Sequence, residues 1–148
     1  MTLITGCEEE VRDGMNGVER ALKRLVDIVL ATLLLLLLAP VIIVVALLIM
    51  RQRNGTVLFR QERIGLGGKP FRIMKFRTMS MHHEQDGMPR LEPDAAEGQT
   101  ELQRFLRVHH LDELPQLWNV LIGDMSFVGP RPERRYFIDQ IMQRNPNY

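Results

Sequence analysis

An uncharged run of apolar residues near the N-terminus constrains this chain more than any other feature. It extends from Ile28 to Met50 and contains no charged residue. As one α-helix, its 23 residues would be roughly 34 Å long at ~1.5 Å per residue, enough to cross a hydrocarbon core of ~30 Å. A run of this length and composition predicts a helix inside a membrane.

The path of this segment through the membrane is not fixed by its hydrophobicity. Pro40 follows Ala39 in the middle of the run, where proline removes a backbone hydrogen bond, so we expect a break or kink there. Basic residues flank the run on both sides: Arg20, Lys23, Arg24, Arg51 and Arg53. Because cations favour the cytoplasmic side, this pattern fits a re-entrant helix that returns to the leaflet it entered. A kinked single span is the alternative, and the residues alone leave both open.

Charge and cysteine content set broad limits on the rest of the chain. The 148 residues suit one modest domain, and the net charge of +1 names no partner and gives no reason to expect nucleic acid. Residues 51–77 are strongly basic, which indicates either a solvated face or contact with anionic lipid or phosphate. Cys7 is the single cysteine, so an intrachain disulfide is impossible. Residues 1–19 are predicted to form a flexible tail, and Asp27 is positioned to pair with Lys23 one helical turn away.

The segment after the membrane run predicts a β-hairpin followed by two short helices. The sequences "TVLFRQERI" and "KPFRIMKFRTM" are separated by "GLGG", which is typical of two strands joined by a glycine turn. Residues 82–99 are polar and predict a long loop. Helices are expected over 101–108 and over 112–121, with Asp112 as the N-cap of the second and Pro115 in its first turn.

Two short motifs have both a structural and a chemical interpretation. Asp112 and Glu113 are adjacent and point in different directions, so they are not a pair sharing one proton. A helix cap is sufficient to explain Asp112, yet an ionised aspartate at a helix start could also act as a nucleophile. Arg131 lies between Pro130 and Pro132, either in a simple exposed turn or as a rigid arginine that grips phosphate.

Several motifs in order resemble one protein family. "KRLVDI" precedes the proline-containing apolar run, and "FRQERIG", "GKPFRIMKFRTM" and "LDELPQLWNVLIGDMSFVGPRP" follow it. Together, from about Lys23 to Arg135, they resemble the bacterial sugar transferases, the monotopic polyprenyl-phosphate phosphoglycosyl transferases. The resemblance implies an α+β protein. A proline-broken re-entrant membrane helix over 20–50 would precede a small cytoplasmic catalytic domain of helices and a β-hairpin over 51–148.

The resemblance also implies a reaction and its place in the cell. Members transfer a sugar phosphate from a UDP-sugar to polyprenyl (undecaprenyl) phosphate and release UMP, at the cytoplasmic face of the bacterial inner membrane. This step begins the synthesis of exopolysaccharide, capsule or O-antigen. The expected partners are therefore the UDP-sugar, polyprenyl phosphate and inner-membrane lipid. A homodimer is one expectation for the oligomeric state, and the sequence does not name the sugar.

The family pattern assigns roles to individual residues. Asp112 matches the aspartate that attacks the β-phosphate and carries the sugar phosphate covalently, and Glu113 matches its catalytic partner. A carboxylate attacking a diphosphate meets like charge, so Mg²⁺ is the expected cofactor, with Asp112 as its ligand. The cations that match phosphate-binding or site positions are Arg107, Arg131, Lys75 and Arg77.

Two departures from the family pattern limit what the resemblance implies. The membrane break is commonly Ser-Pro, whereas here it is Ala39-Pro40, so a hydroxyl that could bond the opened backbone is missing. Members usually continue for some tens of residues beyond the position of Tyr148, so the domain over 51–148 is expected to be C-terminally incomplete. The alternative function is a catalytically inactive, membrane-anchored relative that acts as a partner or lipid-binding protein.

Overall fold

The computed structural model describes residues 15–52, 56–65, 68–78 and 99–144. In chain order the elements are α1 (Gly17–Arg51), β1 (Leu58–Ile64), β2 (Pro70–Phe76), α2 (Glu101–Val108), a 3₁₀ turn (Leu111–Glu113), α3 (Gln116–Ile122) and α4 (Arg135–Arg144). The predicted mixture of helices with a small sheet is confirmed. The predicted tail lies mostly outside the described residues, as does the predicted loop over 82–99 apart from its last residue.

The apolar run forms the greater part of α1, which begins at Gly17. This 35-residue helix is the one described element long and apolar enough to cross a membrane by length and composition. Within the described part of the chain, the middle of α1 has no protein packed around it, since Leu36 and Leu37 are 70% and 71% exposed. Burial in lipid would remove this apolar surface from water. The helix continues through Ala39 and Pro40 without a gap, so the predicted break there is not confirmed.

The C-terminal half of α1 helps to form the hydrophobic core. Val45 and Ile49 are each 5% exposed and cluster with Phe76 of β2 and Leu106 of α2. Six partly buried apolar residues pack against this cluster: Ile42, Ala46, Val57, Leu102, Leu111 and Leu114. Since burial of apolar side chains is the main favourable term in folding, this cluster joins α1, β2, α2 and the 3₁₀ turn into one unit.

The N-terminal part of α1 contacts the same domain through polar groups. Arg24 donates from Nη1 to the carbonyl of Val120 at 2.6 Å and from Nη2 to that of Leu121 at 2.7 Å. The predicted Lys23–Asp27 ion pair is confirmed at 3.5 Å, and the backbone N–H of Phe127 donates to Asp27 Oδ1 at 3.3 Å. Both ends of α1 are therefore anchored to the folded domain.

The predicted hairpin is confirmed. β1 and β2 pair antiparallel, from Leu58 opposite Phe76 to Ile64 opposite Pro70. The connecting turn is closed by a hydrogen bond from Gly65 N to the carbonyl of Lys69 at 2.9 Å. At the end of β1, an isolated bridge pairs Ile64 with Glu133, which holds the segment after Arg131 beside the sheet.

The first predicted short helix has the predicted bounds. Thr100 caps α2 in a reciprocal arrangement: its Oγ1 accepts from Gln103 N at 3.3 Å, and Gln103 Oε1 accepts from Thr100 N at 3.0 Å. Two backbone donors that would otherwise lack partners at the helix start are thereby satisfied.

The prediction that Asp112 caps a helix over 112–121 is wrong. Asp112 lies inside the 3₁₀ turn Leu111–Glu113, and α3 begins only at Gln116, with Pro115 in the cap position. The turn already begins at Leu111, so Asp112 lies inside it and does not have the extended backbone that is typical of an N-cap. The chain instead makes i→i−3 bonds, such as Leu114 N to the carbonyl of Leu111 at 3.4 Å.

Candidate active site

The 3₁₀ turn brings Glu113 against cations from two other elements. Lys75 of β2 places Nζ 2.7 Å from Glu113 Oε1, and Arg131 of the Pro-Arg-Pro segment places Nη2 3.0 Å from the same oxygen. One carboxylate oxygen thus joins residues that are 38 and 18 positions away in sequence. The hairpin, the turn and the proline-flanked loop meet at this point.

These cations determine the charge state of Glu113. Burial alone would raise the pKa of its carboxyl, but the hydrogen bond and charge of Lys75, with the charge of Arg131, outweigh burial and hold the pKa below its usual range. Glu113 is therefore an ionised, paired carboxylate at neutral pH. It keeps Lys75 and Arg131 at one place without needing a bound ligand.

Asp112 has the opposite environment. It is 9% exposed, and its Oδ1 is buried with no hydrogen-bond partner. Burial raises the pKa of the Asp112 carboxyl; the charge of Lys75 opposes that rise, Glu113 adds to it, and Arg107 opposes it. Burying a carboxylate oxygen without a partner costs free energy of folding, and binding of a proton or a cation at this atom would reduce that cost.

The remaining predicted cations differ in their relation to the carboxylates. Arg107 lies in the last turn of α2, partly buried and close enough for its charge to act on Asp112. Arg77 follows β2, and its backbone N–H bonds the carbonyl of Val57 at 2.9 Å while its Nε is buried without a partner. Across the ranges that the structure describes, no ion pair joins Arg77 to either carboxylate. Lys75, Arg107 and Arg131 are thus brought together with the Asp-Glu pair, and Arg77 is not.

Sequence reasoning missed Asn119. This residue lies in α3 and is 1% exposed, and it bonds the backbone of β2 through its side-chain amide. The available signal was a polar residue inside the otherwise apolar stretch "LWNVLI". A buried amide in such a stretch needs hydrogen-bond partners, and these must come from another element.

The donor set suits a hard cation that is shared with substrate. Among the described residues, no group of three or more His, Cys, Asp or Glu side chains is gathered to form a protein-only metal site. Mg²⁺ is commonly held by one or two carboxylates together with substrate phosphates. The unpartnered Oδ1 of Asp112 fits that role.

The sequence profile of the bacterial sugar transferase family matches residues 18–148. Three relatives illustrate the similarity. A UDP-glucose:undecaprenyl-phosphate glucose-1-phosphate transferase of Caulobacter vibrioides is 48% identical over 132 residues, which is 85% of this chain and 47% of the relative. An Escherichia coli enzyme of the same name is 45% identical over 134 residues, covering 90% of this chain and 29% of the relative.

The third relative acts on a different sugar. It is a UDP-N-acetylgalactosamine-undecaprenyl-phosphate N-acetylgalactosaminephosphotransferase of Aeromonas hydrophila, 42% identical over 127 residues, or 86% of this chain and 30% of the relative. The chain thus spans less than half the length of these three relatives. Since the family profile covers all but the first residues, this chain belongs to the bacterial sugar transferase family.

Proposed function

We propose that this chain transfers a sugar phosphate from a UDP-sugar to polyprenyl phosphate through a covalent intermediate on Asp112. The observation that carries the proposal is the contrast between the two adjacent carboxylates. Glu113 is paired with two cations, whereas Asp112 is buried with an unpartnered oxygen. A carboxylate oxygen without a hydrogen-bond partner is the better nucleophile, because its electron pair is not held by a donor.

The proposed reaction has two displacement steps. In the first, a carboxylate oxygen of Asp112 bonds the β-phosphorus of the UDP-sugar, the bond from that phosphorus to the bridging oxygen breaks, and UMP leaves. In the second, a phosphate oxygen of polyprenyl phosphate bonds the same phosphorus and the bond to Asp112 breaks. The product is a polyprenyl diphosphate sugar, and the Asp112 carboxylate is regenerated.

The surrounding residues have distinct tasks in this proposal. Lys75, Arg107 and Arg131 would bind the phosphate oxygens, since all three surround the carboxylates and carry the opposite charge. Glu113 would keep Lys75 and Arg131 in place. Asp112 would also hold Mg²⁺ together with the substrate phosphates. When bound, the ion supplies positive charge that offsets the repulsion between carboxylate and diphosphate.

We further propose that α1 is re-entrant and that the domain lies at the cytoplasmic face of the inner membrane. Arg24 and Ile49 are 25 residues apart in sequence, which would separate them by roughly 37 Å in a straight helix. Yet Arg24 contacts the end of α3, and Ile49 belongs to the cluster against which Leu114, just before α3, packs. The seven residues of α3 span only ~10 Å. A bend in α1 near Pro40 would bring both ends to one small domain.

The donor sugar is left unspecified beyond its UDP carrier. The relatives are named for glucose and for N-acetylgalactosamine, so the family match supports the shared diphosphate chemistry and not one sugar. A site built from cations and carboxylates recognises the phosphates that both donors share.

The direct test is UMP release from a panel of UDP-sugars by the membrane-embedded chain, with Mg²⁺ and undecaprenyl phosphate. We expect release with at least one donor and a loss on the order of 10³-fold or more in Asp112→Asn, as for removal of other catalytic nucleophiles. An equal rate in Asp112→Asn would contradict the proposal. Absence of release from every donor would favour the inactive, membrane-anchored relative.

A further inference from the structure

The side chain of Asn119 joins α3 to the outer edge of the hairpin. Its Oδ1 accepts from Met74 N at 3.0 Å, and its Nδ2 donates to the carbonyl of Arg72 at 2.8 Å. Nδ2 also donates to Asp124 Oδ2 at 3.1 Å. Every strong donor and acceptor of this buried amide therefore has a partner within the domain.

This pairing replaces a missing strand. The described sheet has two strands, so β2 has one edge that β1 does not cover. A carbonyl and an N–H two residues apart on that edge are the groups that a further strand would bond, and the Asn119 amide bonds both. Two-stranded hairpins are only marginally stable alone, so a fixed partner on the free edge limits the movement of β2.

The connection leads directly to the carboxylate pair. Lys75 follows Met74, and its Nζ is 2.7 Å from Glu113 Oε1. Glu113 lies in the turn that runs into α3, the helix that carries Asn119. Taking the proposed transfer reaction as given, we propose that Asn119 is a positioning residue, which fixes β2 against α3 so that Lys75 stays bound to Glu113 beside the nucleophile.

The amide is chemically specific for this task. Asn119→Leu keeps a similar volume but removes all three side-chain hydrogen bonds, and Asn119→Asp keeps the acceptor for Met74 while losing both donors. Asp124→Ala is the matched control, because it removes one bond of Asn119 and leaves both bonds to β2 intact.

The first test needs no catalysis. An ammonium group held in a close ion pair exchanges its protons with water slowly, so Lys75 should give a sharp Nζ signal in the ¹⁵N-labelled chain in lipid nanodiscs, assigned by its loss in Lys75→Met. We expect the signal in wild type and Asp124→Ala, and its broadening or loss in folded Asn119→Leu. Should Asn119→Leu fail to fold, Asn119→Asp takes its place. A Lys75 signal unchanged in the folded Asn119 variant would overturn the inference.

The second test is a double-mutant cycle on the transfer reaction. We expect Asn119→Leu to lower kcat on the order of tenfold or more with a smaller change in KM, since displacement of a catalytic group costs rate. In a Lys75→Met background the same substitution should cost less than about twofold. Equal losses in both backgrounds would show that Asn119 does not act through Lys75. A wild-type chain with the Lys75 signal but without transfer would instead reject the proposed function.

Discussion

At the scale of single residues, the site separates two neighbouring carboxylates by environment. Asp112 is buried with an unpartnered oxygen, and Glu113 binds Lys75 and Arg131 through one oxygen. Their pKa values move apart as a result, upward for Asp112 and downward for Glu113. Opposite shifts in adjacent titratable groups are typical of sites where the two groups have different tasks.

Removing Lys75 should change the pKa of Asp112 and therefore the pH dependence of transfer. The charge of Lys75 opposes the burial that raises the pKa of Asp112, so in Lys75→Met that pKa should rise further. Because the proposed nucleophile must be ionised, the acidic limb of the rate profile should move to higher pH. At pH values below that limb, the rate should fall on the order of 10²-fold relative to wild type. The measurement is kcat/KM against pH for sugar-phosphate transfer. Lys69→Met, in the exposed turn of the hairpin, is the control and should behave as wild type.

The buried Asp112 should reduce stability at neutral pH. Its folded pKa lies above the ordinary value of 3.8, so the protonated carboxyl is favoured in the folded state. This favourable contribution to folding is complete below pH 3.8 and is lost as pH rises through the folded pKa. Asp112→Asn should therefore raise Tm by a few degrees at pH 7, and the gain should vanish below about pH 3.8.

Glu113→Gln provides the opposite case for the same melting experiment. The pKa of Glu113 is held below its ordinary value of 4.5, so its contribution is present above that pH and is lost as pH falls through the folded pKa. Glu113→Gln should accordingly lower Tm at pH 7. A Tm for Asp112→Asn below that of wild type at neutral pH would show that burial does not disfavour the charge.

At the scale of elements, α1 caps α3. The guanidinium of Arg24 binds the carbonyls of Val120 and Leu121 in the last turn, where a cation also suits the helix dipole. Gly123 ends the helix at φ +99°, and a Cβ at this position would lie 3.2 Å from Arg24 Nη2. The position therefore needs glycine for its backbone conformation and for the approach of Arg24.

Gly123→Ala should destabilise the protein by about 1–2 kcal/mol through the positive φ alone, with a further cost if Arg24 must shift. Denaturant unfolding of the detergent-solubilised chain measures the change. Gly129→Ala is the matched control, since a Cβ there meets nothing within 4 Å and should be nearly neutral. If the two substitutions lowered the free energy of unfolding equally, a side chain at residue 123 would not strain the end of α3.

At the scale of the whole molecule, the sequence predicted what local chemistry controls. The helix over the apolar run, the hairpin and the short helix Glu101–Val108 each depend on residues that are close in sequence, and all three elements formed as predicted. The prediction for Asp112 was wrong because a 3₁₀ turn already begins at Leu111, so Asp112 lies inside that turn and α3 begins only at Gln116. The task of Asn119 could not be predicted, since its partners on β2 are 45 and 47 positions away.

The path of α1 is also a property of the whole molecule. A re-entrant α1 would place residues before Gly17 and after Gln52 on the same side of the membrane. Two observations favour this path: both flanks are basic, and both ends of α1 bind one domain. Native Cys7 reports the first position, and a Cys7→Ser, Thr56→Cys variant reports the second. A membrane-impermeant maleimide should label both in inside-out vesicles and neither in intact cells. Labelling on opposite sides would establish a single span.

The central claim is that Asp112 carries the sugar phosphate covalently. The measurement is mass spectrometry of peptides from the chain after incubation with a turnover-competent UDP-sugar and Mg²⁺, without polyprenyl phosphate, so that the second step cannot proceed. We predict a mass increase of one sugar phosphate on the peptide that contains Asp112. The increase should disappear in Asp112→Asn and be removed on addition of polyprenyl phosphate. Transfer to the lipid without any adduct, or an adduct that persists in Asp112→Asn, would contradict the account.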